Sequence, residues 1–508
     1  MPAHLELGVR FGDAVGKRAA SGAPLRLMLL ADFTGQHAPP QQVSGPRGQF
    51  PLQRVDLDTL GRALTRFAPR VATGGGSDTA VLEFRSLEDF HPDSLLRRVP
   101  SFVRLLTLRE RMLEPATFAA ASAELRAQGL GAGAPATPGS AVVCGAAAGG
   151  GESDSGTLER LLGGRGPETA EPRKVSASAV AGALIRRLVT PATSIPDTPQ
   201  RSVYLGAIDE ALGAGLRQLL HSSAFMSLEA AWRAVNGLVT RLPLDEVLQL
   251  YLLDVSRDEL VSDLLAAGPD PQRSRLAVTL SSASSSEPGY WGLVGALFGF
   301  GAQREELAAL AALAGIGSRI QAPVVAAAAP GLFGCSAVRD LPHPLAWQPL
   351  EPQAAVQWAS LRGSAAASWL GLVAPRLLLR LPYGKTGEPL ESFAFEEQPP
   401  LPEHDSLLWG AGSLAVVLLL GEAFAHGGWE QTATAGQDID DLPAYAFVRD
   451  GETQLTPCAE AWLGERAAEA LLARGVMPLL SDRQRPRVRL PRIQSVRHPQ
   501  RSLAGLSR

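Results

Sequence analysis

Asp254 closes the apolar run 248–255, and a carboxylate at the carboxyl end of a strand is a common place for catalysis in an α/β sheet. Nothing in the sequence partners it. Glu396-Glu397 and the group Asp438, Asp440, Asp441 could supply paired carboxylates for acid–base work, or be solvated loop charges. Gly384-Lys385-Thr386 imitates the end of a phosphate-binding loop. The motif needs a glycine where Leu379 stands, and Pro389 follows where its helix should start. Gly299-Phe300-Gly301 lacks the third glycine of a dinucleotide loop, whose place Arg304 occupies. There is no G-x-S-x-G elbow around Ser336. The eight histidines form no H-x-x-x-H pair with an acidic partner, and Cys144, Cys335 and Cys458 show no CxxC spacing. The residue pattern implies no cofactor, no metal and no enzyme, which leaves assembly as the direction to follow.

The elements that would position such residues alternate. Residues 24–33 read as a buried strand ending in a polar turn at 32–35. Asp56 or Asp58 caps a helix carrying Leu57, Leu60, Leu64 and Phe67. Residues 81–84 read as a strand. Helices are expected over about 93–99, 101–113 and 117–128. Further on, helices are predicted at 183–189, 201–220, 225–242, 256–265 and 303–315, and buried strands at 248–255, 276–280 and 323–329, with 291–300 apolar. Strands alternating with helices predict an α/β fold: a small α/β domain tethered to a larger one with a mostly parallel or mixed sheet.

Between the two lies GLGAGAPATPGSAVVCGAAAGGGESDSG, a composition that cannot pack a core. The expected organisation is therefore a domain over 1–128, a linker over 129–156 and a domain over 157–508. Leu158, Leu161 and Leu162 form a short amphipathic island after the linker. It either docks on its own domain or is a peptide for a partner groove.

The stretch 361–429 organises the rest. Its first half sets an apolar run against Leu381-Pro382-Tyr383-Gly384 and an extended arm ending Phe393-Ala394-Phe395-Glu396-Glu397. Its second half, from Trp409-Gly410 to Gly428-Trp429, has no charge between residues 407 and 420, so a helix there must be covered on every side. The uncharged run is shorter than the roughly 20 residues of a membrane span, which predicts a core helix and no membrane insertion. A net charge of -4 gives no global field for nucleic acid, and the arginine-rich tail after Asp482 has no interleaved aromatics. No signal-peptide core opens the chain, and the widely spaced cysteines suit a reducing compartment, so a cytoplasmic location is expected.

These stretches resemble the contractile sheath of the bacterial type VI secretion system. LRLMLLADFTG, VDLDTLGRALTRFAP and FRSLEDFHPDSLLRRVPSFVRLLTLRERM are similar to the small sheath subunit. HSSAFMSLEAAWRAVNGLV, LYLLDVSRDELVSDL, GLVAPRLLLRLPYGKTGEPLESFAFEE, LLWGAGSLAVVLLLGEAFAHGGW and GVMPLL are similar to the large one. The resemblance implies a structural protomer whose copies form a ring or helical sheath around an inner-tube protein on a baseplate, contracting to propel the tube. It also implies that an AAA+ recycling ATPase binds the island at Leu158, Leu161 and Leu162. Two departures stand out. Small and large parts share one chain, which fixes their stoichiometry and raises their local concentration. After IQSVRHPQ the family continues for several dozen residues, and their absence would favour a non-contracting, sheath-derived cap or baseplate adaptor. An α/β enzyme built on Asp254 is the third reading. Open sheet edges near the linker and in 485–496 are expected of a subunit that completes its neighbours' sheets.

Overall fold

The computed structural model describes residues 24–35, 49–73, 80–125, 198–286, 290–432 and 437–506. The chain opens with β1 (Leu25–Ala31), β2 (Leu52–Val55), α1 (Leu60–Phe67), β3 (Arg70–Thr73), β4 (Ala80–Glu83), α2 (Pro92–Arg98), α3 (Pro100–Leu113) and α4 (Phe118–Leu125). After the linker come α5 (Thr198–Leu220), α6 (Ser223–Arg241), β5 (Leu248–Asp254), α7 (Arg257–Ala266), α8 (Arg275–Ser286), β6 (Tyr290–Phe300), α9 (Arg304–Ile320), β7 (Val324–Ala328), α10 (Pro352–Gly363), β8 (Leu370–Ala374) and β9 (Leu377–Leu378). Then follow β10 (Trp409–Gly410), α11 (Ser413–Thr432), β11 (Asp438–Ile439), β12 (Ala446–Arg449), β13 (Glu452–Leu455), α12 (Glu465–Ala473), β14 (Val476–Pro478), β15 (Leu480–Ser481) and β16 (Val488–Arg489).

Two compact units result. Among the described residues, the first comprises 24–73, 80–98 and 219–506, and the second 99–125 and 198–218. The second unit is helical: Arg109 Nε lies 2.5 Å from Asp209, and the Arg201 guanidinium sits 5.7 Å from the Phe118 ring centre.

The first unit is built on a seven-stranded sheet in the order β14-β8-β7-β6-β1-β5-β2. Every pairing in it is parallel except β2 with β5. The α/β class is as expected, but the compact units do not divide at the linker. β1, from the first 35 residues, runs between β5 and β6, with Leu25 opposite Leu248 and Ala31 opposite Asp254. A strand covered on both faces must be apolar throughout, and all seven residues of β1 are buried. The exception in kind, Arg26, is accommodated by an Nε hydrogen bond to Gln249 Oε1 (3.2 Å) and by the rings of Tyr251 and Trp291. Met28 and Leu30 share a core with Leu260 and Leu264 of α7, Leu276 and Leu280 of α8, and Leu307 and Leu310 of α9. On the other face α11 packs against β1, β5, β6, β7 and β8. The approach there is close: a Cβ on Gly295 would lie 2.7 Å from Val417 Cγ2, so only glycine fits in β6 at that point.

The structure corrects two sequence expectations and adds a strand partner to a third element. Residues 276–280 are helix, not strand: Leu276 and Leu280 are spaced i, i+4 on one buried face, and the Asp263 carboxylate accepts from Arg275 N (2.9 Å) and Leu276 N (3.2 Å) to cap the helix start. β4 lies outside the main sheet and pairs with β3, a strand the residue pattern did not suggest. The 485–496 region does not present an open edge at its strand. β16 is the middle of the three-stranded sheet β11-β16-β15, held by Arg487 and Arg489 against Asp438 and by Arg487 against Asp440. The candidate acidic cluster at Asp438 and Asp440 is thus spent on ion pairs. The predicted helix at 183–189 and the residues Leu158, Leu161 and Leu162 lie outside the described residues.

Candidate functional site

The extended arm begins where β9 ends. Arg380 is the charge in the leucine run 377–381, and it is buried, as is Glu397 at the far end of the arm. Glu229, on α6 among Leu228, Ala231 and Trp232, is fully buried too. Burying three charges is tolerable only if each is paired and hydrogen-bonded. Arg380 meets that condition with its whole fork. Its Nε donates to Glu229 Oε1 (2.7 Å), and Nη2 to Glu229 Oε2 (3.3 Å) and Glu397 Oε1 (3.0 Å). Its Nη1 donates to Glu397 Oε2 (2.7 Å) and to the Leu381 carbonyl (3.1 Å).

A second arginine finishes the cluster. Arg233, one turn along α6 from Glu229, donates to it (2.7 Å) and, through Nη2, to the Tyr383 hydroxyl (2.9 Å). The Tyr383 ring lies under the Arg380 guanidinium at 4.3 Å, in the geometry of a cation–π contact. Burial alone would raise the Glu397 carboxyl, but Arg380, with His221 Nε2 3.4 Å away and a hydrogen bond from the Tyr383 amide, brings it down to about 2. Burial and the Glu229 carboxylate push the Tyr383 hydroxyl well above the ordinary tyrosine range.

The backbone closes the arm on itself. Tyr383 N donates to Glu397 Oε2 (2.8 Å), and Glu397 N to the Tyr383 carbonyl (2.9 Å). Between them the chain turns at Gly384, whose φ of +142° excludes an ordinary side chain; a Cβ there would lie 2.3 Å from Glu396 Oε2. Glu396, exposed, accepts from Lys385 N (3.3 Å). The Gly-Lys-Thr sequence therefore serves a turn in the arm. Phe393 and Phe395 are buried with ring centres 6.0 Å apart.

The outer part of the arm is held by residues from before the linker. Asp93, buried at the start of α2, accepts from Glu391 N (3.0 Å), Ser392 N (3.3 Å) and Ser392 Oγ (2.7 Å). His91 stands edge-on to Tyr383, ring centres 5.1 Å apart, and its Nδ1 accepts from Asp93 N (3.2 Å). Pro92 buries itself in the helix's first turn, where its missing N–H costs nothing.

The remaining motif residues form the arm's floor. Trp409 and Gly410 are β10, antiparallel to Leu378 and Leu377 of β9, and Trp409 Nε1 donates to the His404 carbonyl (2.9 Å). The uncharged segment that follows is the first part of α11, buried from Ser413 to Gly421 as a helix apolar on every face must be. Gly427 and Gly428 depart from helical geometry, Gly428 at φ +65°, and let Trp429 turn edge-on against Phe424, 5.5 Å away. Among the described residues no helix is long and apolar enough to cross a membrane.

Asp254 has a different job from the catalytic one considered for it. Its Oδ1 accepts from Phe33 N (2.8 Å) and Thr34 N (3.2 Å), and its Oδ2 from Thr34 Oγ1 (3.1 Å), tying the end of β5 to the turn after β1. Burial raises this carboxyl to about 6, against those hydrogen bonds and with help from nearby Asp32. A cavity of ≈ 570 Å³ does open at the carboxyl ends of β1, β6 and β7, but Asp254 does not line it. Of the charges on its wall, Arg376 pairs with Glu460, Arg257 pairs with Asp258 and Glu306, and Asp32 accepts from Gly35 N (2.7 Å). Among the described residues no group of three or more His, Cys, Asp or Glu is arranged to hold a metal ion.

Sequence reading found the arm and missed its fasteners: Glu229, Arg233, His221 and Asp93. The available signals were Arg380 inside a leucine run and Glu229 on the apolar side of its helix, since a charge at a core position implies a buried partner. Which partner, 151 residues away in sequence, could not be read.

Comparison with known proteins finds relatives of both the earlier and the later part of the chain. The family described as "EvpB/VC_A0108, tail sheath N-terminal domain" matches residues 203–497, more than half the chain. The family described as "Type VI secretion system, VipA, VC_A0107 or Hcp2" matches residues 5–128. The type VI secretion system sheath protein TssC1 of Pseudomonas aeruginosa is 30% identical over 287 residues, covering 54% of this chain and 57% of the relative. The sheath protein TssB1 of the same organism is 29% identical over 102 residues, covering 19% of this chain and 58% of the relative. The chain thus spans less than two thirds of each of these curated relatives.

Proposed function

Because this chain belongs to the type VI secretion tail-sheath family, with small- and large-subunit sequences fused in one polypeptide, we propose that it is a structural sheath protomer whose copies assemble around an inner tube and contract to drive it. The observation that carries this reading is the position of β1. Residues matched by the small-subunit family supply an interior strand of a sheet whose flanking strands β5 and β6 lie in the large-subunit match. Within the first unit, residues of both matches share one sheet, which suits a subunit that transmits force without coming apart. In this reading work comes from how bricks repack and no covalent chemistry is required. The protein resides in the cytoplasm, the tube and a baseplate are its partners, and an AAA+ ATPase recycles it through Leu158, Leu161 and Leu162.

The test is electron microscopy of the expressed chain alone and with an inner-tube protein. Tubes or stacked rings are expected, in two lengths if contraction occurs. A chain that stays monomeric under both conditions overturns the proposal.

A further inference from the structure

Glu460, in the loop before α12, is buried and lies on the wall of the ≈ 570 Å³ cavity. Arg376, between β8 and β9, holds its carboxylate: Arg376 N and Nε donate to Oε2 (3.2 and 2.9 Å), and Nη2 donates to Oε1. A histidine reaches the same carboxylate. His404 Nε2 lies 2.9 Å from Glu460 Oε1, and its Nδ1 lies 2.7 Å from Asp405 Oδ1. A neutral imidazole carries one N–H, so on one of these two sides a bare lone pair would face a carboxylate oxygen. The arrangement calls for the ring protonated on both nitrogens.

His404 sits in a strap, residues 399–406, that follows the arm. Pro399, Pro400 and Pro402 have no backbone N–H to anchor it. Gln398 ties its ends together, Nε2 donating to the Ser406 carbonyl (2.9 Å) and Oε1 accepting from Glu403 N (3.1 Å). Among the described residues, His404 with Glu460 is the one ion pair or hydrogen bond that joins 399–406 to the chain outside 398–409. Beneath the strap is Trp409, which lines the cavity; its ring stacks on His404 with centres 5.6 Å apart and planes at 27°.

We infer that His404 is a proton-operated clip: charged, it fastens the 399–406 strap to Glu460 over Trp409 and the cavity wall, and on losing a proton it frees the strap. The charged groups that face the ring are Glu460, Asp405 and Arg376. Burial alone would raise the Glu460 carboxyl, but Arg376 and His404 bring it down to about 2, so Glu460 is already charged wherever the ring titrates. Glu460, then Asp405, raise the His404 ring above its ordinary 6.5, against burial and Arg376. The clip is therefore complete below pH 6.5 and is lost as pH rises through the higher folded value. No partner enters this inference, so it stands apart from the sheath reading.

The test uses the full-length chain. The His404 ring is titrated by nuclear magnetic resonance, its signal identified by its absence from His404→Gln. Hydrogen exchange over 403–409, corrected for the intrinsic rate at each pH, is then measured on both sides of the midpoint for wild type, His404→Gln and the permanently charged His404→Lys. A midpoint above 6.5 is expected, with wild-type protection falling by about tenfold across it. His404→Gln should exchange fast, and His404→Lys slowly, on both sides, with unchanged far-UV circular dichroism. A midpoint at or below 6.5, wild-type protection that does not change across the midpoint, or a His404→Gln chain that keeps the wild-type pH response overturns the clip.

Discussion

Residues from before the linker meet the rest of the first unit at two joints, and the two are built from opposite materials. At the sheet joint, β1 is backbone-paired on both sides and its side chains are apolar. At the arm joint, Asp93 receives three hydrogen bonds from the arm, which is itself moored through Arg380, Glu397 and Glu229. Apolar burial is non-directional and supplies most of the stabilisation. Charge pairs in the interior give little net stability, because desolvation offsets attraction, but they tolerate only one arrangement. The comparison teaches that β1 decides whether the protein folds, and the arm cluster decides where the LPYG segment sits.

Leu29→Asp would break the comparison at its stronger end. An isolated carboxylate in that fully buried site costs as much as the ~5–15 kcal/mol that holds a typical domain together, so no cooperative unfolding transition should be seen by far-UV circular dichroism. Arg380→Ala should cost about 3–5 kcal/mol in denaturant unfolding, because it strands two buried glutamates. The triple change Arg380→Met, Glu229→Gln, Glu397→Gln should regain most of that loss while leaving the arm open to proteolysis between residues 384 and 392. If the triple variant resists protease like wild type, the cluster has no positional role.

The two joints should also answer pH with opposite signs. Glu397 is held at about 2, below its ordinary 4.5, so its stabilisation is complete above pH 4.5 and is lost as pH falls toward 2. Asp254, at the sheet joint, is raised from 3.8 to about 6, so its contribution is complete below pH 3.8 and is lost as pH rises through 6. Glu397→Gln should flatten the acid limb of the stability curve and Asp254→Asn the limb near pH 6. An Asp254→Asn protein that keeps the upper limb would remove the assignment. The smallest effect is expected at Asp93→Ala, about 1–3 kcal/mol for a buried acceptor that leaves Glu391 N, Ser392 N and the Ser392 hydroxyl without a partner, measured by chemical unfolding.

How much of this was legible differs between elements for physical reasons. β1 and β5 announce themselves because strands covered on both faces must be continuous apolar runs. The uncharged helix α11 was legible for the same reason, whereas the turn at Gly384 was not, because the sequence marked only an extended, glycine-punctuated arm there. Residues 276–280 misled because Val278 and Thr279 favour strands, while the deciding features were the i, i+4 pair Leu276 and Leu280 and the distant Asp263 cap. Asp254 looked catalytic from its position alone. Its hydrogen-bonding partners, Phe33 and Thr34, stand more than two hundred residues earlier, and no local pattern points to them.

By itself the amino-acid order determined which segments must be buried, the α/β class and the sheath family, since each of these is written in local composition, periodicity and motif. The tertiary structure decided that β1 enters the interior of the sheet between β5 and β6, that Arg380 is shared between Glu229 and Glu397, and that Asp254 ties a turn. Those outcomes depend on side chains and strand edges brought together from 17 to over 200 residues apart, where pairing is selected by geometry and desolvation rather than by anything the neighbouring residues encode.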